Sequence, residues 1–63
     1  MYLIKIKTHN DHGCWWKALL EGDPGRTLIR ENATKFGKKS NCLSKIKELK
    51  EKYPNRSFSV ESF

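Results

Sequence analysis

The apolar period of this chain changes from two to 3.6 and back to two, so it must combine strands with a helix. Tyr2, Ile4 and Ile6 alternate with Lys5 and Lys7. A period of two in β-branched and aromatic residues predicts a strand with one buried face. Residues 14–21 alternate again: Cys14, Trp16, Ala18 and Leu20 form an apolar set, and Trp15, Lys17, Leu19 and Glu21 the opposite, mixed set. The polar cluster His9-Asn10-Asp11-His12-Gly13 between them reads as a turn, which makes the pair a hairpin. Gly22-Asp23-Pro24-Gly25 is a second turn, because proline presets φ at one position and glycine accepts positive φ at another. Residues 26–32 read as a third, shorter strand around Leu28 and Ile29, and two adjacent apolar residues leave its face undecided.

After Asn32-Ala33-Thr34 the period changes. Cys42, Leu43, Ile46, Leu49 and Tyr53 recur at spacings of three and four, which predicts one apolar stripe on a helix over about residues 38–53. Pro54 and Asn55 end it. Local terms support this helix weakly. Glu48 precedes Lys52 by four residues, worth a few tenths of a kcal/mol, while Lys38 and Lys39 carry the wrong sign for a first turn. The stripe itself must therefore hold the helix in place. Residues 56–63 alternate once more and read as a fourth strand. The expectation is an α+β fold over residues 1–63, in the order β-β-β-α-β, with one helix packed on one face of an antiparallel sheet.

Sixty-three residues is close to the lower limit for autonomous folding. A domain of that size buries only about 60% of the surface its unfolded chain exposes, and disulfides, a metal or a partner subunit usually make up the deficit. Cys14 and Cys42 fall well short of a disulfide framework. No stretch is long and apolar enough for a signal peptide or a membrane span, so the expected location is cytoplasmic, away from membrane, with both thiols reduced. That leaves a homodimer as the expected source of extra stability.

The residues assembled so far resemble one repeat of the YegP-like family, a small domain without an assigned biochemical role. The match runs from Tyr2-Leu3-Ile4 and Trp15-Trp16-Lys17 through a glycine-containing turn to Ile29. It continues with Phe36 ten residues before the helix residue Ile46, with Lys39 and Cys42 between, and ends at Pro54 and a short apolar strand. This chain departs from the pattern in a longer turn at 22–26, a longer run from Ile29 to Phe36, Lys45 where the family has a small residue, and Gly37-Lys38 where it often has serine. The resemblance implies a homodimer of single units sharing one sheet and exchanging their C-terminal strands. Residues 57–62 would be swapped, with Phe58, Val60 and Phe63 at the interface. It supplies no catalytic residues.

Thirteen Lys and Arg against seven Asp and Glu give a net charge of +6. Such an excess points to nucleic acid, an anionic membrane or an acidic protein as partner, or to solubility alone. If the Tyr2–Ile4–Ile6 set faces the helix, Lys5, Lys7, Trp15 and Lys17 share the other face. An aromatic ring among lysines on an open sheet is how single-strand binders combine stacking with backbone charge. The competing reading is that Trp15 and Leu19 cover the sheet or pack across a dimer. Lys38 and Lys39, near Gly37, mark a candidate anion-binding helix start.

The group His9, Asp11, His12 and Cys14 has metal-ligand residue types, but no second His or Cys pair closes a site, and neither metal nor cofactor is expected. The cysteines read as small core residues. There is no paired-carboxylate motif, phosphate-binding glycine loop or serine elbow, so the chain is not expected to be an enzyme. The sequence points to a homodimeric binding module on nucleic acid or an acidic protein. The alternative is a small inhibitor docking on a host enzyme, for example one that acts on nucleic acid.

Overall fold

The computed structural model describes residues 1–7, 13–18 and 25–63. Its elements are β1 (Tyr2–Lys7), β2 (Cys14–Trp16), β3 (Arg26–Thr27), a 3-10 turn (Arg30–Asn32), α1 (Lys39–Lys52) and β4 (Ser57–Ser62). The four strands form one antiparallel sheet in the order β3-β2-β1-β4. One helix packed on this sheet makes the α+β fold that the periodicity predicts.

The first strand is central. It pairs with β4 from Tyr2↔Ser62 to Lys7↔Ser57, and with β2 at Lys5↔Trp15 and Ile6↔Cys14. The Phe63 N–H donates to the Met1 carbonyl at 2.8 Å, carrying the β1–β4 ladder one residue further. At the other end of its β2 edge, Tyr2 exchanges two backbone hydrogen bonds with Phe36, both at 2.8 Å. The segment leading into the helix therefore fills the place beside β1 that a longer β2 would occupy.

The core lies between the sheet and α1. Ile4, Ile6, Cys14 and Phe58 meet Cys42, Ile46 and Leu49, with Tyr2, Trp16, Phe36, Tyr53 and Val60 around them. The alternation of the first two strands thus identified the helix-facing residues of β1 and β2. Trp16 stacks on Phe36 with ring centroids 6.0 Å apart, and Lys45 Nζ lies 5.7 Å from the Trp16 centroid on the helix side.

Four expectations need correction. Leu28 and Ile29 are not strand residues: β3 ends at Thr27, both side chains are exposed, and a 3-10 turn follows. The Thr27 hydroxyl accepts the Ile29 N–H at 3.1 Å, a local side-chain turn that competes with continuing the ladder. The second strand is shorter than 14–21, ending at Trp16 within the described residues. Leu43 is 47% exposed rather than part of the stripe. At 100° per residue it points about 90° away from the mean direction of Cys42, Ile46 and Leu49, the buried residues of the helix.

The fourth correction is the sidedness of β1. Leu3 has the parity of Lys5 and Lys7, yet it is fully buried. The chain from Arg30 to Phe36 crosses that side of the sheet: Lys17 Nζ donates to the Asn32 carbonyl at 2.8 Å, the Thr34 N–H to the Trp16 carbonyl at 3.1 Å, and Arg30 reaches β4. Ala33 in this segment is buried. A strand that is central and covered on both sides cannot alternate cleanly.

The helix starts without help from its N-terminal end. Lys38, the N-cap, is extended and makes no side-chain cap, and no acid stands in the first turn. At the other end Lys50 and Lys52 carry the favourable sign. Among the described residues no helix is long and apolar enough to cross a membrane.

Candidate functional site

The four residues expected to form a basic aromatic face are held differently from one another. Lys5 and Trp15 are direct cross-strand partners on the side away from α1, with Lys5 Nζ 5.8 Å from the Trp15 ring centroid. The lysine stem passes over Gly13, where a Cβ would come within 2.6 Å of Lys5 Cε. A glycine at that position leaves room for the cation to lie along the indole. Lys17 is turned to the Asn32 carbonyl, and Lys7 stands exposed at the end of β1.

Trp15 is half-buried and tied down. Its indole N–H donates to Glu61 Oε2 at 3.1 Å, and the same oxygen accepts from Arg30 Nε at 2.7 Å. Arg30 Nη2 donates to the Ser62 carbonyl at 2.7 Å. Two cations lie against the Phe63 ring, Arg30 Cζ 4.7 Å and Lys35 Nζ 4.9 Å from its centroid. These contacts latch the end of β4 to the turn at Arg30–Asn32, so Trp15 helps cover the sheet. The Arg30–Glu61 latch was not foreseen. The available signal was weak: Glu61 shares parity with Ser57 and Ser59, which sets one acid on a face otherwise carrying lysines.

The latch has a pH signature. The Arg30 hydrogen bond is the main influence holding the Glu61 carboxyl below its ordinary 4.5; partial burial opposes it, and the Trp15 hydrogen bond and the charges of Arg30 and Lys5 assist. A lowered carboxyl contributes stability that is full above the unfolded value and lost as pH falls through the folded one. Both groups are partly exposed, so the contribution at neutral pH is no more than about 1 kcal/mol. Glu61→Gln should melt below the parent at neutral pH, and the gap should close as pH falls below 4.5. A gap independent of pH in paired thermal melts would remove the latch as its cause.

The cysteines are core residues. Cys14 is buried with Sγ 3.8 Å from the Ile6 carbonyl, and Cys42 is buried with Sγ 3.5 Å from the Leu3 carbonyl. Burial pushes the Cys42 thiol above its ordinary value, the opposite of what a nucleophile needs. His9, Asp11 and His12 lie outside the described residues, as do Leu19 and Leu20. Among the described residues no three His, Cys, Asp or Glu side chains gather as metal ligands.

The unengaged positive charge is carried elsewhere. Lys38, Lys39 and Lys47 are exposed on the helix, the first two at its start. Lys7, Lys50 and Arg56 are exposed where β1 ends, the helix ends and β4 begins. Among the described residues the ion pairs are Arg30–Glu61 and Lys45–Glu48, and none of these six cations takes part. Sequence reasoning named Lys7 as part of the sheet face and did not single out Lys50. Arg56 carried no signal, because its place beside the other two depends on where the helix delivers the chain.

No family model, curated protein or solved structure matches this chain. The likeness to the YegP-like repeat therefore rests on the residues quoted for it and on their order.

Proposed function

We propose that this chain is a non-catalytic binding module that works as a homodimer and engages nucleic acid through phosphate contacts. One observation carries the proposal: Lys7, Lys38, Lys39, Lys47, Lys50 and Arg56 are exposed and outside the ion pairs of the described residues. Cations kept for solubility need no particular arrangement, but a surface with few acids among them attracts a polyanion and gains by releasing its counterions. Backbone contacts of this kind position a strand without reading its sequence. With Trp15 bound to Glu61, the charge, rather than stacking on the sheet, supplies the affinity.

The test is a salt titration with a single-stranded oligonucleotide. Log K should fall linearly with log salt, by about 0.7 for each phosphate neutralised. Absence of binding at low salt, or affinity indifferent to salt, would sink the proposal. A different partner class is favoured by one feature: Leu28 and Ile29 are 76% and 55% exposed side by side. An adjacent apolar pair beside basic residues suits an inhibitor docking on an acidic protein. That reading expects one protein to be retained from nuclease-treated lysate, with retention lost in Leu28→Ser.

A further inference from the structure

Lys7, Lys50, Pro54, Arg56, Ser57, Phe58 and Ser59 line a cleft of about 520 Å³ at the end of the sheet. Three of these side chains are cations, two are hydroxyls, and none is a carboxylate. We propose that this cleft is a discrete site for a phosphate monoester, one per chain.

The chain brings these residues together from three places: the last residue of β1, the last turn of α1, and the connection that enters β4. Lys7 and Ser57 are cross-strand partners, which sets a cation and a hydroxyl side by side, with Ser59 two residues along on the same face. Arg56 immediately precedes this pair, and its guanidinium is suited to two-pronged contact with phosphate oxygens. Lysines add charge, and serine hydroxyls donate to the remaining oxygens. The end of a helix carries roughly half a negative charge, which opposes an anion there, but three full positive charges outweigh it. The volume is in the range of small-molecule sites, about 300–1,000 Å³, so it accommodates more than bare phosphate. Pro54 adds an apolar wall for the group the phosphate is attached to.

This site would exist whether or not the rest of the basic surface binds a strand. The phosphate ester could belong to a free nucleotide or to the 5′ end of a nucleic acid, and the experiment separates them. Backbone amide NMR spectra are followed during titration with inorganic phosphate at constant ionic strength. Saturable shifts should be confined to the amides around Lys7 and Arg56 to Ser59. The triple variant Lys7→Gln, Lys50→Gln, Arg56→Gln should weaken phosphate binding roughly tenfold or more, since it removes the charge-assisted contacts. The variant Lys38→Gln, Lys39→Gln, Lys47→Gln, of equal charge, should change it less than about twofold. All six positions are exposed, so both variants should fold, and the unshifted remainder of each spectrum reports this directly.

Equal losses in the two variants, or shifts that never saturate, would overturn the site. A 5′-phosphorylated oligonucleotide binding several-fold tighter than its 5′-hydroxyl counterpart assigns the site to strand ends. Equal affinity, with adenosine monophosphate displacing inorganic phosphate, assigns it to free nucleotides. If no oligonucleotide binds, the nucleic-acid function falls, while the phosphate titration still decides the cleft.

Discussion

Replacing Ile46 by alanine should destabilise this protein by about 2–5 kcal/mol, enough to leave little of it folded. Ile46 is buried near the middle of α1, in one cluster with Ile4, Ile6 and Phe58 of the sheet. A large-to-small change there removes buried methylene groups and leaves a cavity that the sheet can close only by distorting β1 and β4 together. Small domains have total stabilities near the low end of about 5–15 kcal/mol, so one core truncation is a large fraction of the whole. The control lies on the same helix. Leu43 is exposed, and Leu43→Ala should stay within about 0.5 kcal/mol of the parent. Urea melts followed by helix circular dichroism compare the two. Ile46→Ala melting beside the parent, or Leu43→Ala losing as much, would show that α1 presents another face to the sheet.

Deleting residues 57–63 should abolish folding altogether. The segment contains β4, with its six register pairs to the central strand, the core residue Phe58, and Glu61, which receives Arg30 and Trp15. Without it Leu3, Ile4 and Ile6 would face water along one edge, and α1 would lose part of its floor. Within the single chain β4 closes its own sheet. An exchanged homodimer would make the same register and core contacts between subunits, because swapping changes only which chain supplies the strand. The short Pro54-Asn55 connection after the helix is the kind of hinge that favours exchange. The expectation is therefore a dimer in light scattering at micromolar concentration. In a sample mixing labelled and unlabelled chains, contacts between Ile6 of one subunit and Phe58 of its partner should appear. A folded monomer would refute both dimer and exchange. A dimer with Ile6–Phe58 contacts only within one chain would refute the exchange alone.

The sequence by itself determined the two-layer plan. Alternation marked β1 and β4, and the spacing of Cys42, Ile46, Leu49 and Tyr53 marked α1, because both patterns record burial on one side of an element. Tyr2, Ile4, Ile6, Cys14 and Trp16 were legible as the helix-facing set of the hairpin, and both cysteines as core, for the same reason. What stayed hidden were the places where burial comes from a segment remote in the chain. Leu3 reads as a break in alternation until the Arg30–Phe36 stretch is seen across it. Leu28 and Ile29 look like strand interior, and only the 3-10 turn after them leaves them in water. Leu43 counts toward an apolar stripe by spacing, yet the helix rolls on Ile46 and Leu49 and turns it outward. The site was hidden most completely. Lys7, Lys50 and Arg56 are ordinary surface cations in one dimension, and their meeting around Ser57 and Ser59 depends on where α1 ends relative to the last residue of β1. Local periodicity reports which side of an element is dry; only tertiary packing decides which distant side chains share the wet side.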